Sequence, residues 1–182
     1  MTENASLFAQ LSPGFFEDPT IRALDPSVVY EQMIFDLRDR GPLDMDIPVP
    51  ENVHFGFFDG DYDALSGAVY KVGPHWVPHY VPGERIYCGY AGDEVVSFCL
   101  LQNFGTATYY GKTVRVAGPG CVGTVPEFRR QGIGLRMIRN ATNILMFAGY
   151  DLSYINWTGV ARWYGHLGYE TLARWTSRGI IE

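Results

Sequence analysis

The sequence predicts a mixed α/β fold of α+β type, folded as a single domain over residues 1–182. Three observations carry this reading. At 182 residues the chain has the length of one ordinary domain and can bury a substantial core. Its 47% hydrophobic and 19% charged residues are the proportions of a globular protein. The apolar spacing also changes along the chain, reading as a helix, several antiparallel strands, then helix, strand, helix and strand.

The first main helix is expected over residues 26–40. Asp25 suits its cap and Pro26 its first turn; Val29, Met33 and Leu37 recur at helical spacing, and Gly41-Pro42 stop it. Arg38 and Arg40 would then lie near its C-terminal end. Residues 7–16, upstream, read as a short arm or helix. Residues 44–51 are a proline-bearing connector. Residues 53–58 read as a strand ended by the turn Asp59-Gly60-Asp61, and 62–72 as a short helix. Gly73, Pro74, Pro78, Pro82 and Gly83 then argue against regular structure. Residues 85–90 and 95–102 form a hairpin about Ala91-Gly92-Asp93-Glu94.

Beyond a polar, aromatic loop, residues 113–125 are extended. Gly118-Pro119-Gly120 cannot be the interior of a regular strand, so a bulge or kink is expected there. The strongest helix covers about 132–148, with Ile138, Ala141, Leu145 and Ala148 on one face and Gly149 at its end. Residues 152–157 read as a strand, 160–167 as a short helix ended by Gly168, and 169–176 as the last strand. No repeat or low-complexity tract is present.

A net charge of −6 argues against nonspecific nucleic-acid binding by bulk electrostatics. No stretch is long and apolar enough for a membrane span, and Met1-Thr2-Glu3-Asn4 lacks the basic-then-apolar order of a signal peptide. Cys88, Cys99 and Cys121 are an odd number without a C-x-x-C pair, so they read as reduced thiols. A cytoplasmic protein without nucleic-acid or membrane partners is expected.

The informative stretch is Thr124-Val125-Pro126-Glu127-Phe128-Arg129-Arg130-Gln131-Gly132-Ile133-Gly134. A strand ends, a proline turns the chain, and a glycine-spaced segment opens a long helix. The first turn of a helix has unpaired N–H groups and the positive end of the helix dipole. Gly132 and Gly134 let that backbone approach a ligand, while Arg129 and Arg130 add positive charge where cations are disfavoured unless an anion binds. This is a phosphate cradle. A Walker loop is absent. Gly118, Gly120 and Gly123 do spell G-x-G-x-x-G, but an extended run follows them and the helix opens only after Gly132, so the dinucleotide reading is set aside.

R-x-x-G-x-G at Arg129 to Gly134, preceded by a strand and Pro126, resembles the acetyl-CoA-binding motif of the GNAT N-acetyltransferases. Arg162-Trp163-Tyr164-Gly165-His166-Leu167-Gly168-Tyr169-Glu170 resembles the F-Y-x-x-L-G-F-E segment of the same superfamily. The likeness is close over the C-terminal half; the first 80 residues match only in having a helix there. It implies a twisted, mostly antiparallel sheet with splayed central strands, flanked by helices. The acceptor side would fall mainly in residues 1–110 and the acetyl-CoA core in about 113–176.

The resemblance also implies roles. Backbone groups of Thr124 and Val125 would pair with the pantetheine arm, and N–H groups of Arg130, Gln131, Gly132, Ile133, Gly134 and Leu135 would bind the pyrophosphate beside Arg129. Backbone N–H groups of Val122, Gly123 and Thr124 would face the thioester oxygen as it gains charge. Asn156 would bond the pantetheine, although the family's asparagine lies nearer the final helix. Tyr164 aligns with the general acid that protonates the departing sulfur. No carboxylate stands on the strand 114–121, where many relatives hold a general base; a water relay, a pocket histidine or the C-terminal carboxylate of Glu182 stay open. Acetyl-CoA is the expected co-substrate, without a metal, and a small-molecule primary amine the expected acceptor. A homodimer is an open possibility. A CoA-binding module without catalysis, and a nucleotide-dependent oxidoreductase built on Gly118 to Gly123, are the alternatives.

Other features have competing readings. Cys121 reads as a small buried residue beside a bulge rather than a nucleophile. His75 and His79 are four apart, but Pro74 and Pro78 oppose a helix and no third ligand is evident, so no metal is expected. Asp59, Asp61 and Asp63 lack the glycine and glutamate of a calcium loop; they form a solvated turn or attract a cationic acceptor. The run Gly73 to Tyr80 either builds an aromatic acceptor pocket around Trp76 or packs against the sheet.

Overall fold

A computed structural model describes residues 2–181; Met1 and the possible proton acceptor Glu182 lie outside the described residues. The elements in chain order are α1 (Glu3–Leu11), α2 (Pro19–Arg22), β1 (Tyr30–Asp36), β2 (Val53–Phe57), α3 (Tyr62–Tyr70), β3 (Ile86–Ala91), β4 (Glu94–Tyr109), β5 (Lys112–Thr124), α4 (Ile133–Phe147), β6 (Leu152–Thr158), α5 (Ala161–Gly165), β7 (Glu170–Thr176) and β8 (Gly179–Ile180). Short 3-10 turns occupy Phe15–Glu17, Pro74–His79 and Pro126–Phe128. The strands form one mixed, mostly antiparallel sheet in the order β2-β3-β4-β5-β6-β1-β7-β8. The parallel pairing is that of β5 with β6, through Val116 opposite Leu152 and Ala117 opposite Ser153.

The chain forms two compact units, with β4 and β5 contributing to both. The first comprises the segment up to Arg40, Asn103–Ala117 and the segment from Ala148 onward. Its core gathers Leu7 and Phe8 of α1, Ile34, Val116, Leu152, Tyr154 and a fully buried Trp175. The second comprises Gly41–Gln102 and Gly118–Phe147. Its core gathers Leu65 and Val69 of α3 with Tyr80, Cys88, Phe98 and Val125.

The main departure from expectation is at residues 26–40, which hold a strand in place of a helix. Asp25 does cap, but it caps a turn: its Oδ1 accepts from the Ser27 N–H at 2.8 Å and from the Ser27 hydroxyl at 2.7 Å. β1 then runs antiparallel to both β6 and β7. Gln32, Met33, Ile34 and Phe35 are all buried, so both faces of the strand are covered and the alternation that betrays a strand is missing. Val29 is exposed, and its spacing from Met33 and Leu37 is coincidental. Arg38 follows the strand and pairs with Asp36 at 2.6 Å.

Three smaller differences have local causes. α1 begins earlier than residues 7–16 suggested, because the Thr2 hydroxyl caps it by accepting from the Ala5 N–H at 3.2 Å. The loop expected after Gln102 is the second half of β4, where Ala107 and Tyr109 are buried between exposed Thr106, Thr108 and Tyr110. Tyr110 and Gly111, at φ 48° and 70°, turn it into β5 with both residues left-handed. The proline-rich run forms a 3-10 turn, which a proline at its start suits and a single internal proline does not break.

Candidate functional site

The glycine-spaced segment lies in the second unit. After β5 and the turn Pro126–Phe128, the chain reaches Arg130 at φ 60° and Gly132 at φ 78°, both left-handed. Such residues coil the backbone as in anion-binding concavities. The carbonyl of Gly132 accepts from the Arg136 N–H at 2.9 Å, the first bond of α4. Ile133 and Gly134 are buried and fix the helix start, whereas Gln131 is exposed and Leu135 half-buried. The first turn of α4 contains no acidic side chain. Arg129 and Arg130 are exposed, and neither is ion-paired among the described residues. Arg129 Nε donates to the Thr124 carbonyl at 2.9 Å, so this arginine also ties the end of β5 to the cradle.

Behind the cradle the connector is strapped along α4. Asn143 bonds Leu43 twice, accepting from its N–H at 2.7 Å and donating to its carbonyl at 2.9 Å. Arg139 donates to the Met45 carbonyl at 2.7 Å and Arg136 to that of Ile47 at 3.1 Å. Alternate carbonyls of an extended segment thus meet side chains three and four apart on a helix, where the two periodicities match. Sequence reasoning missed this strap because its partners on the connector are backbone atoms.

The end of β5 carries its own bracing. Cys121 adopts φ 48°, and its carbonyl accepts from the Tyr80 hydroxyl at 2.6 Å. The left-handed residue Cys121 falls at the end of the stretch Gly118 to Cys121 where a bulge is expected. Ser97 is fully buried; its hydroxyl donates to the Gly123 carbonyl at 2.8 Å, which leaves Thr124 to donate its own hydroxyl proton to Ser97 at 3.0 Å. Gly123 sits against the buried Phe98 ring, which leaves no room for a Cβ, and Gly120 lies against the amide end of Gln102. Gly118, Gly120 and Gly123 all lie inside β5 with no helix opening among them, which overturns the oxidoreductase alternative.

The Val125 N–H donates to the Val96 carbonyl at 2.9 Å, and the Val125 carbonyl accepts from the Phe128 N–H at 2.9 Å. Val125 is 1% exposed, and its N–H is engaged within the sheet.

Tyr164 and Asn156 belong to the first unit. Tyr164 on α5 is buried, its ring edge-on to Trp163 at 4.8 Å and to Tyr169 at 5.9 Å. Asn156 is half-buried on β6. Of the run Gly73 to Tyr80, Tyr80 is core and Trp76 packs against the same cluster, so the packing reading holds over the aromatic pocket. His75 and His79 are exposed. Among the described residues no group of His, Cys, Asp or Glu could hold a metal ion. Asp61 caps α3, accepting from the Asp63 N–H at 3.0 Å, within an exposed acidic turn. Burial pushes the Cys121 thiol up to about 11 and that of Cys88 to about 12, which keeps both protonated near neutral pH. Among the described residues no helix is long and apolar enough to cross a membrane.

The fold is similar to solved GCN5-related N-acetyltransferases. A glucosamine N-acetyltransferase region of a fungal multi-domain GH3 β-N-acetylglucosaminidase superposes with a TM-score of 0.67 at 21% identity, over 82% of this chain and 20% of that one. An enzyme from Kribbella flavida gives 0.55 at 20% identity, over 89% and 62% of the two chains. One from Sphaerobacter thermophilus gives 0.58 at 19% identity, over 83% and 50%. This chain therefore spans less than two thirds of the length of each. No curated protein matches it. The family model described as an acetyltransferase (GNAT) domain matches residues 63–172, which include the cradle, Asn156 and Tyr164. The chain belongs to the GNAT acetyltransferase family.

Proposed function

We propose that this protein transfers acetyl from acetyl-CoA to a primary amine of a small molecule, by direct attack on the thioester. The observation that carries the reading is the start of α4: left-handed Arg130 and Gly132, a first turn without carboxylates, and two exposed arginines without ion-pair partners among the described residues. Those features fit a pyrophosphate, which would accept the N–H groups of residues 130–135 and neutralise both arginines. The neutral amine attacks the carbonyl carbon; a C–N bond forms, negative charge passes to the oxygen and the C–S bond then breaks. The thiolate takes one proton, for which Tyr164 is the donor by family resemblance, and the nitrogen loses one. The products are the amide and free CoA, and the reaction needs no metal. Backbone N–H groups of Val122 to Thr124 stabilise the oxygen. Thr124 meets the pantetheine arm without the Val125 N–H, and Asn156 remains a candidate contact. A cytoplasmic protein of one functional domain, acting without nucleic acid or membrane, completes the proposal, and a homodimer is compatible with it.

A second reading has one observation behind it. Residues 114–121 contain no carboxylate to deprotonate an amine, which suits a module that holds CoA without turnover. Release of free thiol from acetyl-CoA across a panel of primary amines separates the two. Amine-dependent release supports the enzyme, and CoA binding without release with any amine supports the module.

A further inference from the structure

We infer that Tyr80 is a positioning residue for the acetyl group: its hydroxyl holds the Cys121–Val122 peptide so that the Val122 N–H is aimed at the thioester oxygen. The inference rests on the acetyltransferase reading and deepens it.

Cys121 is a non-glycine residue at φ 48° near the end of a long strand. Side chains avoid this region, and such outliers persist only where the surroundings over-determine them. Here the surroundings are identifiable. The Tyr80 hydroxyl donates to the Cys121 carbonyl at 2.6 Å, from a residue 41 positions earlier. Tyr80 is 2% exposed, and its ring meets Phe98 edge-on at 5.3 Å, so the hydroxyl has little freedom to move. Gly120, next door, lies close against the Gln102 side chain, whose Oε1 would be 2.0 Å from a Cβ there. The carbonyl of residue 121 is thus turned to a side chain of the core.

A trans peptide is planar, and its carbonyl and N–H point in opposite directions. Fixing the Cys121 carbonyl on Tyr80 therefore sends the Val122 N–H away from the buried tyrosine. Cys121 and Val122 are both half-buried, at the boundary of the core. A donor held this way needs no reorganisation as charge develops on an oxygen, which is what makes such groups effective. The thiol of Cys121 takes no part.

The test uses Tyr80→Phe, which removes one oxygen and keeps the ring. Calorimetry is run with acetyl-CoA and with CoA, which differ by the acetyl group that the Val122 N–H would contact. The variant is expected to bind CoA as the unaltered protein does, and acetyl-CoA about 2- to 10-fold more weakly, the worth of one hydrogen bond. With an amine that supports turnover, kcat is expected to fall about 10²-fold, the scale of one lost oxyanion donor. A merely structural hydroxyl would weaken both ligands together or neither, and either result overturns the inference. If Tyr80→Phe does not fold, the same comparison is made between Cys121→Gly, which tolerates the left-handed backbone, and Cys121→Gly/Tyr80→Phe. Only the double variant should lose affinity for acetyl-CoA relative to CoA. An unaltered protein that binds neither ligand removes the acetyltransferase reading itself, a result distinct from one that binds both and is indifferent to Tyr80.

Discussion

A Cβ built on Gly132 would lie 2.3 Å from the carbonyl oxygen of Pro48. Gly132 is thus hemmed in by the connector from behind, at a left-handed φ of 78°. Both constraints act without any ligand. Gly132→Ala is expected to lose at least about 1–3 kcal/mol of stability in urea unfolding, the cost of a strained backbone before the clash is counted. It is therefore a poor probe of CoA binding, since fold and cradle fail together.

Arg130 offers the separation that Gly132 does not. It is exposed, at φ 60°. Arg130→Gly relieves that backbone and is expected to stabilise the protein by about 0.5–1 kcal/mol. It also removes a cation from the cradle, and acetyl-CoA affinity should drop about fivefold, equivalent to ~1 kcal/mol. Stability and affinity moving in opposite directions, by urea unfolding and calorimetry, is the expected signature. Unchanged affinity would remove Arg130 from the site.

Tyr164→Phe keeps the ring contacts with Trp163 and Tyr169 and deletes the hydroxyl. If that hydroxyl protonates the leaving thiolate, kcat is expected to fall about 10²-fold or more, with acetyl-CoA affinity little changed. Near-full kcat with chemistry rate-limiting would show that the family alignment assigns the wrong acid.

Asn143→Ala removes both hydrogen bonds that hold Leu43. At about 1 kcal/mol each, the expected loss is about 2 kcal/mol in urea unfolding, with faster amide exchange over residues 43–47. A change below about 0.5 kcal/mol would mean that the strap is incidental.

At pH 8 about one Cys121 thiol in a thousand is ionised, given a thiol pushed up to about 11 by burial. Iodoacetamide at pH 8 is expected to leave the folded protein unmodified and fully active, and to label all three cysteines in denaturant. Rapid labelling of one cysteine in the folded state would contradict the buried-thiol account.

The C-terminal half was legible in the sequence because its signals are local. Gly132, Gly134 and Gly149 mark the ends of α4, and Gly168 closes the turn before β7. Residues 26–40 were misread because β1 is buried on both faces, which hides its alternation, while Val29, Met33 and Leu37 happen to fall at helical spacing. The cradle residues are contiguous and were found. Tyr80, Ser97 and Asn143 were not, because each acts on a backbone carbonyl or N–H far along the chain, and backbone partners have no sequence signature.

The central claim is that the cradle at α4 takes the pyrophosphate of acetyl-CoA, and thermal unfolding with and without ligand tests it most directly. Acetyl-CoA at about 100 times its Kd should stabilise the protein by about 2.7 kcal/mol. For a domain of this size that raises Tm by about 5–10 °C. CoA should do nearly the same, and NAD at the same concentration should leave Tm unchanged. A Tm that ignores acetyl-CoA and CoA at millimolar concentration, or that rises equally with NAD, would contradict the account.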